Sequence, residues 1–206
     1  MHLQSKPSGQ SRKFAIIFVL GAAGAGKGTL STYLAQKHNL VHYSEDLNPF
    51  IYRPILDAIN RDGRELNGIL IDGYPRCIEQ LNSFRAWPFQ YVAPLAPGSD
   101  GKVSLDIKPD LVLSFQVLKH NARERYLSPA RDNNDSVHKF EKRFTEYQVE
   151  TVPVEDEHRR RGVLVPVDFN ETKEENIQVI TKALQESELW EMLSRPSNER
   201  LHESCR

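Results

Sequence analysis

Residues 21–29 read Gly-Ala-Ala-Gly-Ala-Gly-Lys-Gly-Thr, and these residue types at this spacing indicate a loop that binds phosphate groups. Glycines let the backbone curl until several N–H groups point at one anion, and Lys27 adds a cation that can follow a transferred phosphoryl group. The apolar run 14–20 predicts a strand before the loop, and apolar residues at helical spacing predict a helix after it. These flanking elements favour a phosphate site over the alternative, a Gly/Ala-rich loop without a ligand.

A second motif, Asp-Gly-Tyr-Pro-Arg at residues 72–76, directly follows the apolar run 69–71. At the end of a buried strand, Asp72 can face the phosphate loop and hold Mg²⁺ through water, while Thr29 assists the same ion. The glycine and the proline predict a sharp exit from the strand, after which Arg76 can bind a second phosphate with its planar guanidinium group. The alternative is a Gly-Pro turn flanked by a surface ion pair, which the upstream phosphate loop disfavours.

Strands and helices alternate along the chain, the strands as short apolar runs and the helices as apolar stripes at helical spacing. The predicted strands cover residues 14–20, 41–43, 69–71, 111–117 and 163–167. The predicted helices cover residues 29–38, 51–59, 77–86, 119–127, 137–162 with a bend at Pro153, and 174–184. This alternation predicts a P-loop three-layer α/β/α fold with a doubly wound parallel five-stranded sheet, in which ligands bind at the carboxyl ends of the strands.

The composition limits the partners that the chain can have. Its 206 residues suit one α/β domain, and 27 Lys and Arg against 28 Asp and Glu leave a net charge of −1. That charge creates no field that would attract nucleic acid or a membrane surface. Cys77 and Cys205 imply no disulfide framework, and no apolar stretch is long enough to span a bilayer. We therefore expect a cytoplasmic monomer with neither nucleic-acid nor membrane partners.

The two motifs together resemble those of the nucleoside monophosphate kinases, the adenylate kinase and UMP/CMP kinase family. The family's phosphate loop, Gly-x-x-Gly-x-Gly-Lys-Gly-Thr, is matched throughout by residues 21–29, and its Asp-Gly-[Phe/Tyr]-Pro-Arg is matched by residues 72–76. The likeness extends over roughly residues 14–185. It implies a phosphotransferase that moves the γ-phosphoryl group of ATP, bound with Mg²⁺, to a nucleoside monophosphate.

The resemblance also implies roles for individual residues. ATP would be bound by Gly21, Ala22, Ala23, Gly24, Ala25, Gly26, Lys27, Gly28, Thr29 and Arg125, and the Mg²⁺ ion by Thr29 and Asp72. The acceptor would be bound by Ser44, Arg53, Gly73, Arg76, Gln80, Arg131 and Arg143. The catalytic cations would be Lys27, Arg76, Arg125, Arg131 and Arg143. Gln80 stands where adenylate kinases read the adenine of the acceptor, so AMP is the favoured substrate.

A cluster of arginines is also expected independently of the family, because two nucleotides bring many negative charges together and cations must offset them. Arg143 lies beside the apolar stripe of Phe140 and Phe144, and we expect it at a buried edge. The resemblance further implies a short lid at residues 128–136 without zinc. No cysteine pair is available in that segment.

The chain departs from the family pattern on the acceptor side. The segment 44–67, which corresponds to the acceptor-binding lobe, is reduced, and Asn48-Pro49 stands where members carry an arginine. Either Arg53 replaces that arginine, or the protein binds ATP but transfers phosphoryl groups poorly. Asn121 occupies the position of an arginine that stacks on the donor base, for which Lys119 or Arg123 could substitute.

The resulting domain assignment has a disordered tail at residues 1–12, a P-loop kinase domain at 13–188 and a C-terminal tail at 189–206. A weak organellar signal is the alternative for the first segment, which is basic and acid-free. Six prolines and glycines make residues 87–109 an irregular insertion. Two other functions stay open: a P-loop kinase for another small phosphate acceptor, and a degenerate relative that binds nucleotide as a regulatory protein.

Overall fold

The structure is a computed structural model that describes residues 15–44, 54–55, 57–58, 66–85, 110–128 and 136–194. The predicted tail at 1–12, the insertion at 87–109 and most of the acceptor lobe and lid lie outside these residues. Arg53 and Arg131 lie outside them as well.

Five strands form one parallel sheet in the described part of the chain, with the order β2-β3-β1-β4-β5. They are β1 (Ala15–Gly21), β2 (Leu40–Ser44), β3 (Gly68–Asp72), β4 (Leu111–Gln116) and β5 (Leu164–Asp168). Its central strand, β1, is buried on both faces, as expected when helices cover both sides of a sheet. The register pairs Asp72 with Val19 on one side and with Ser44 on the other, so the carboxyl ends of β1, β2 and β3 meet at one edge.

Helices cover the two faces of this sheet. They are α1 (Lys27–His38), α2 (Ile78–Arg85), α3 (Lys119–Tyr126), α4 (Val137–Glu146), α5 (Val152–Arg160), α6 (Lys173–Gln185) and α7 (Glu188–Ser194). Side chains alternate along β1, so that Phe18 packs in a cluster with Val154 of α5, while Val19 packs in another with Leu34 of α1 and Ile180 of α6. The predicted three-layer α/β/α fold is thereby confirmed.

The long helix predicted over residues 137–162 is divided into α4 and α5 by a π-helical segment, Tyr147–Thr151. Pro153, near the start of α5, has no N–H to donate to the preceding turn. In that turn the hydrogen bonds are of the wider π-helical type. The break therefore lies just before the proline at which a bend was predicted.

Residues 189–194, which were assigned to the C-terminal tail, form most of α7. Three of their side chains, Leu189, Trp190 and Leu193, pack against the cluster that contains α1 and α6. The Trp190 ring meets the His38 ring edge-on at 4.6 Å between centroids. The assignment of residues 189–194 to a tail is thereby corrected. Their apolar side chains, at helical spacing, pack against a surface that forms only when the sheet and its helices assemble.

None of the helices in the described ranges is long and apolar enough to cross a membrane.

Candidate functional site

A cavity of about 780 Å³ opens at the carboxyl ends of the strands, beside the phosphate loop. Its walls include residues 20–21 and 23–30, Ser44, Asp72, Gly73, Arg76, Arg125, Ser128, Arg143, Glu146, Tyr147, Glu150, Thr151, Glu171, Lys173 and Asn176. Of the described residues predicted for the site, the cavity brings together all except Ala22 and Gln80.

The phosphate loop is shaped by close packing against α3. Gly24 has a φ of +82°, and a Cβ atom there would lie 2.0 Å from the carbonyl oxygen of Ala122. Only glycine satisfies both conditions without moving the loop or the helix. The helix α1 begins directly after Gly26, with no acidic residue in its first turn and no side chain capping it. Its positive end is therefore directed at the cavity, where it favours an anion.

Lys27 extends back over the loop. Its ammonium group donates to the carbonyl oxygens of Gly21 at 2.8 Å and Ala22 at 3.0 Å. Ala22 thus contributes a backbone oxygen to the site although its side chain is buried away from the cavity. The arrangement places the cation beside the backbone N–H groups of the loop, where a phosphate group would bind.

Asp72 is 6% exposed at the end of β3, and the first turn of α1 lies beside it. A Cβ atom on Gly28 would come within 3.9 Å of its Oδ2 atom, and Thr29 follows in the same wall. A carboxylate and a hydroxyl at the mouth of the loop are the hard oxygen donors that Mg²⁺ prefers. The described residues contain no cluster of three or more His, Cys, Asp or Glu side chains that could hold a metal ion.

His42 is a neighbour of Asp72 that the sequence analysis missed. Its Nε2 atom lies 3.5 Å from Asp72 Oδ2, and its Nδ1 atom lies 3.3 Å from Thr32 Oγ1. The Thr32 hydroxyl also donates to the carbonyl oxygen of Gly28 at 2.8 Å, so His42 lies between α1 and Asp72. Alternation along β2 places His42 on the same side as Ser44, which pairs with Asp72, and this pattern could have identified it.

The backbone of Arg76 is held from two sides. Its N–H donates to Gln80 Oε1 at 2.6 Å, and its carbonyl oxygen accepts the Thr151 hydroxyl at 2.9 Å. Its side chain donates from Nε to the carbonyl oxygen of Gly73 at 2.8 Å. The turn that follows β3 therefore presents Arg76 to the cavity in a defined position.

Arg125 joins α3 to the loop that follows β5. Its guanidinium group donates to the carbonyl oxygens of Phe169 at 2.5 Å and Glu171 at 2.8 Å. Asn121, one turn earlier, donates to Asn170 Oδ1 at 3.1 Å. These bonds give Arg125 a structural task in addition to its place in the cavity wall.

Arg143 faces the cavity from α4 and is exposed, so the prediction of a buried edge is wrong. The apolar stripe of Phe140 and Phe144 turns toward α3, while Arg143 lies on the adjoining face with Tyr147 and Thr151. Sequence reasoning missed Tyr147 and Thr151 as site residues. Their spacing of four and eight positions from Arg143 is the signal that could have found them.

Comparisons with curated proteins agree with this geometry, although no family model matches the chain. Adenylate kinase of a Nitratiruptor species is 26% identical over 189 residues, covering 78% of this chain and 90% of that protein. Adenylate kinase of Deinococcus radiodurans is 28% identical over 193 residues, covering 81% and 94% respectively. UMP-CMP kinase 1 of Oryza sativa subsp. japonica is 24% identical over 203 residues, covering 84% and 75%. The chain is similar in sequence to nucleoside monophosphate kinases over most of its length.

Relatives among the nucleoside monophosphate kinases carry both names, adenylate kinase and UMP-CMP kinase, so the names leave the acceptor open. The residue predicted to read an adenine base, Gln80, is half-buried and lies outside the cavity wall. Its amide oxygen already accepts from Arg76 N–H, which directs the amide nitrogen away from that bond. A role for Gln80 in base recognition stays a prediction, and so do the roles of Arg53 and Arg131.

Proposed function

We propose that this protein is a nucleoside monophosphate kinase that transfers the γ-phosphoryl group of ATP, bound with Mg²⁺, to a nucleoside monophosphate, with AMP favoured. The observation that carries the proposal is the convergence of Lys27, Asp72, Arg76, Arg125 and Arg143 around one cavity at the phosphate loop. A phosphate acceptor is already an anion, so the reaction needs positioned cations and requires no general base.

The phosphate loop and Lys27 would bind the β- and γ-phosphates of the donor, with the positive end of α1 behind them. Mg²⁺, when held by Thr29 and Asp72, would neutralise charge on the same phosphates. Arg76 lines the same cavity, where it would orient the acceptor phosphate for in-line attack. Arg143 would then offset the charge that gathers as the two nucleotides approach.

Exclusion of water belongs to the same proposal, because water would compete as the acceptor. Loop closure in such enzymes sequesters the reacting groups, and the segment 128–136 is the predicted lid. Arg131 within this segment is proposed to bind the phosphates.

A regulatory nucleotide-binding protein is the second candidate. It is favoured by the shortened acceptor-binding lobe at residues 44–67, where Asn48-Pro49 also stands in place of the expected acceptor-binding arginine. Such a protein would bind ATP through the same loop but would transfer no phosphoryl group to a nucleoside monophosphate.

One assay separates these functions. The full chain is incubated with ATP and Mg²⁺ against AMP, dAMP, CMP, UMP and GMP, and diphosphate formation is followed directly. We expect transfer with at least one acceptor and the highest kcat/KM with AMP or dAMP. A Lys27→Met variant purified in parallel controls for contaminating kinases. Measurable ATP binding without transfer to any of the five would favour the regulatory protein.

A further inference from the structure

A buried carboxyl group lies behind the cavity wall and has no place in the mechanism above. Glu155 on α5 is 2% exposed and directly follows the buried Val154. Burying a carboxyl group is costly unless hydrogen bonds compensate, so its partners indicate what it does. They come from two other parts of the fold.

The first partner is the Tyr147 hydroxyl, which donates to the Glu155 carboxyl group, with its oxygen 3.1 Å and 3.3 Å from the two carboxyl oxygens. The second is Ser114 of β4, whose hydroxyl also bonds the Glu155 side chain. Ser114 in turn accepts from Gln116 Nε2 at 2.8 Å. Glu155 thereby connects the rigid sheet to Tyr147, which lines the cavity.

Tyr147 begins the π-helical segment, and Thr151 ends it. A π-helical turn is a rare arrangement of the backbone that occurs frequently at functional sites, and here both of its ends make side-chain hydrogen bonds. At the first end Tyr147 is bonded to Glu155, and at the other the Thr151 hydroxyl is bonded to the carbonyl oxygen of Arg76. A path of direct contacts therefore runs from β4 through Glu155 and the π-helical segment to Arg76.

We infer that Glu155 is a positioning residue: through Tyr147 it anchors the π-helical segment, whose Thr151 sets the backbone position of Arg76. A buried side chain that never touches substrate would thus control how the acceptor phosphate is held. The inference rests on the proposed function for the role of Arg76, while its structural part concerns the free protein alone.

The first experiment measures this structural part without nucleotide. Amide hydrogen exchange over residues 73–80 is compared between the wild type and the variants Glu155→Leu and Thr151→Val. We expect exchange in this segment to become about tenfold faster in both, because the bond to the Arg76 carbonyl is weakened or lost. Thr145→Val is the matched control, since the Thr145 hydroxyl bonds its own helix, at Glu141, and should leave residues 73–80 unchanged.

Conservative variants separate positioning from a general loss of structure. Glu155→Gln keeps an oxygen for the Tyr147 hydroxyl and should restore slow exchange, as should Thr151→Ser. If Glu155→Leu fails to fold, Tyr147→Phe removes the same bond while the ring keeps its place, and it should accelerate exchange at residues 73–80. Unchanged exchange there in Tyr147→Phe and Thr151→Val would overturn the inference.

The second experiment measures catalysis. In Glu155→Leu and Thr151→Val we expect KM for the acceptor to rise about tenfold, while KM for ATP changes less than about twofold. Equal increases in both constants would overturn the inference. If the wild type transfers to no nucleoside monophosphate, the proposed function fails, and the exchange measurement decides the positioning role alone.

Discussion

At the scale of single residues, the site depends on a few charges held at fixed places. Lys27 bonds two carbonyl oxygens of the loop, Asp72 is buried beside His42, and Arg76 is bonded through its backbone at both sides. Each charge is positioned before a ligand arrives, which is the condition for strong electrostatic stabilisation of a transition state. Substitutions at these positions should therefore affect transfer far more than folding.

Replacing Lys27 with Met should lower kcat by ~10³-fold or more, because a cation that stabilises the transferred phosphoryl group is lost. The measurement is steady-state transfer by the variant, with thermal unfolding to show that it is folded. Lys37→Met is the matched control: Lys37 lies on the same helix, and it bonds Tyr33 and Thr181 away from the cavity. A folded Lys27 variant that keeps more than about a tenth of the activity would contradict the phosphate-loop assignment.

Replacing Asp72 with Asn should raise the Mg²⁺ concentration for half-maximal activity by about tenfold, since a charged oxygen donor is replaced by a neutral one. Calorimetric binding of ATP should show the same shift with Mg²⁺ present and little change without it. An unaltered Mg²⁺ dependence in both measurements would remove Asp72 from the ion site.

The amide oxygen and the amide nitrogen of Gln80 can be tested separately. Gln80→Glu keeps an oxygen for Arg76 N–H but removes the amide donor, whereas Gln80→Ala removes both. If the amide binds adenine, both variants should lower kcat/KM for AMP relative to kcat/KM for CMP and UMP. The decrease should correspond to ~1–2 kcal/mol of transition-state stabilisation. If only Gln80→Ala lowers kcat/KM, and equally for all acceptors, then Gln80 serves only to hold the backbone of Arg76.

At the scale of secondary-structure elements, the cavity is formed where several separate segments end. The loop after β1, the turn after β3 and the loop after β5 contribute from the sheet, and α3, α4 and the π-helical segment contribute further wall residues. Contacts between elements, such as Gly24 against Ala122 and Arg125 against Phe169, keep these segments at a fixed spacing. The chemistry therefore depends on how the helices pack as much as on the motifs.

The packing of α7 can be tested directly. Trp190→Ala should lower the free energy of unfolding by about 1–3 kcal/mol, because a half-buried aromatic side chain loses its contacts with α1 and α6. Met192→Ala on the same helix is the control: Met192 is 50% exposed and should change stability by less than about 0.5 kcal/mol. Urea unfolding measures both, and equal effects would mean that α7 contributes nothing to the core.

At the scale of the whole molecule, the buried network behind the cavity links stability to pH. Burial raises the pKa of Glu155 above the ordinary value for a glutamate, and it also raises the pKa of Tyr147. The charged and titratable groups that act on Glu155 are Arg159 and Asp156 on its own helix and Tyr147 on the π-helical segment, while β4 contributes the uncharged Ser114.

A carboxyl group with a raised pKa in the folded state binds its proton more tightly there than in the unfolded chain. Its stabilising contribution is complete below the unfolded pKa and is lost as pH rises through the folded pKa. Glu155→Gln should therefore gain stability relative to the wild type as pH rises above about 4, the ordinary pKa of a glutamate. Urea unfolding at several pH values measures this difference, and a constant difference over the whole range would contradict the assignment of the titration to Glu155.

The sequence by itself determined the features whose signals are local. Residues 21–29 and 72–76 predict a phosphate site because contiguous residue types set the backbone conformation and supply the charges. The parallel sheet followed from the alternation of strand and helix patterns, because the spacing of apolar residues within each segment indicates whether it is a strand or a helix. The similarity to the nucleoside monophosphate kinases could be recognised from the same two motifs.

Only the tertiary structure decided which distant residues meet. His42 reaches Asp72, Thr151 reaches Arg76, and Glu155 joins Tyr147 to β4 across separations that no local pattern records. It also decided that Arg143 is exposed, because whether a residue beside an apolar stripe is covered depends on the element that packs there. Spacing along a helix or strand gives the direction of a side chain, whereas the partner in that direction is set by the fold.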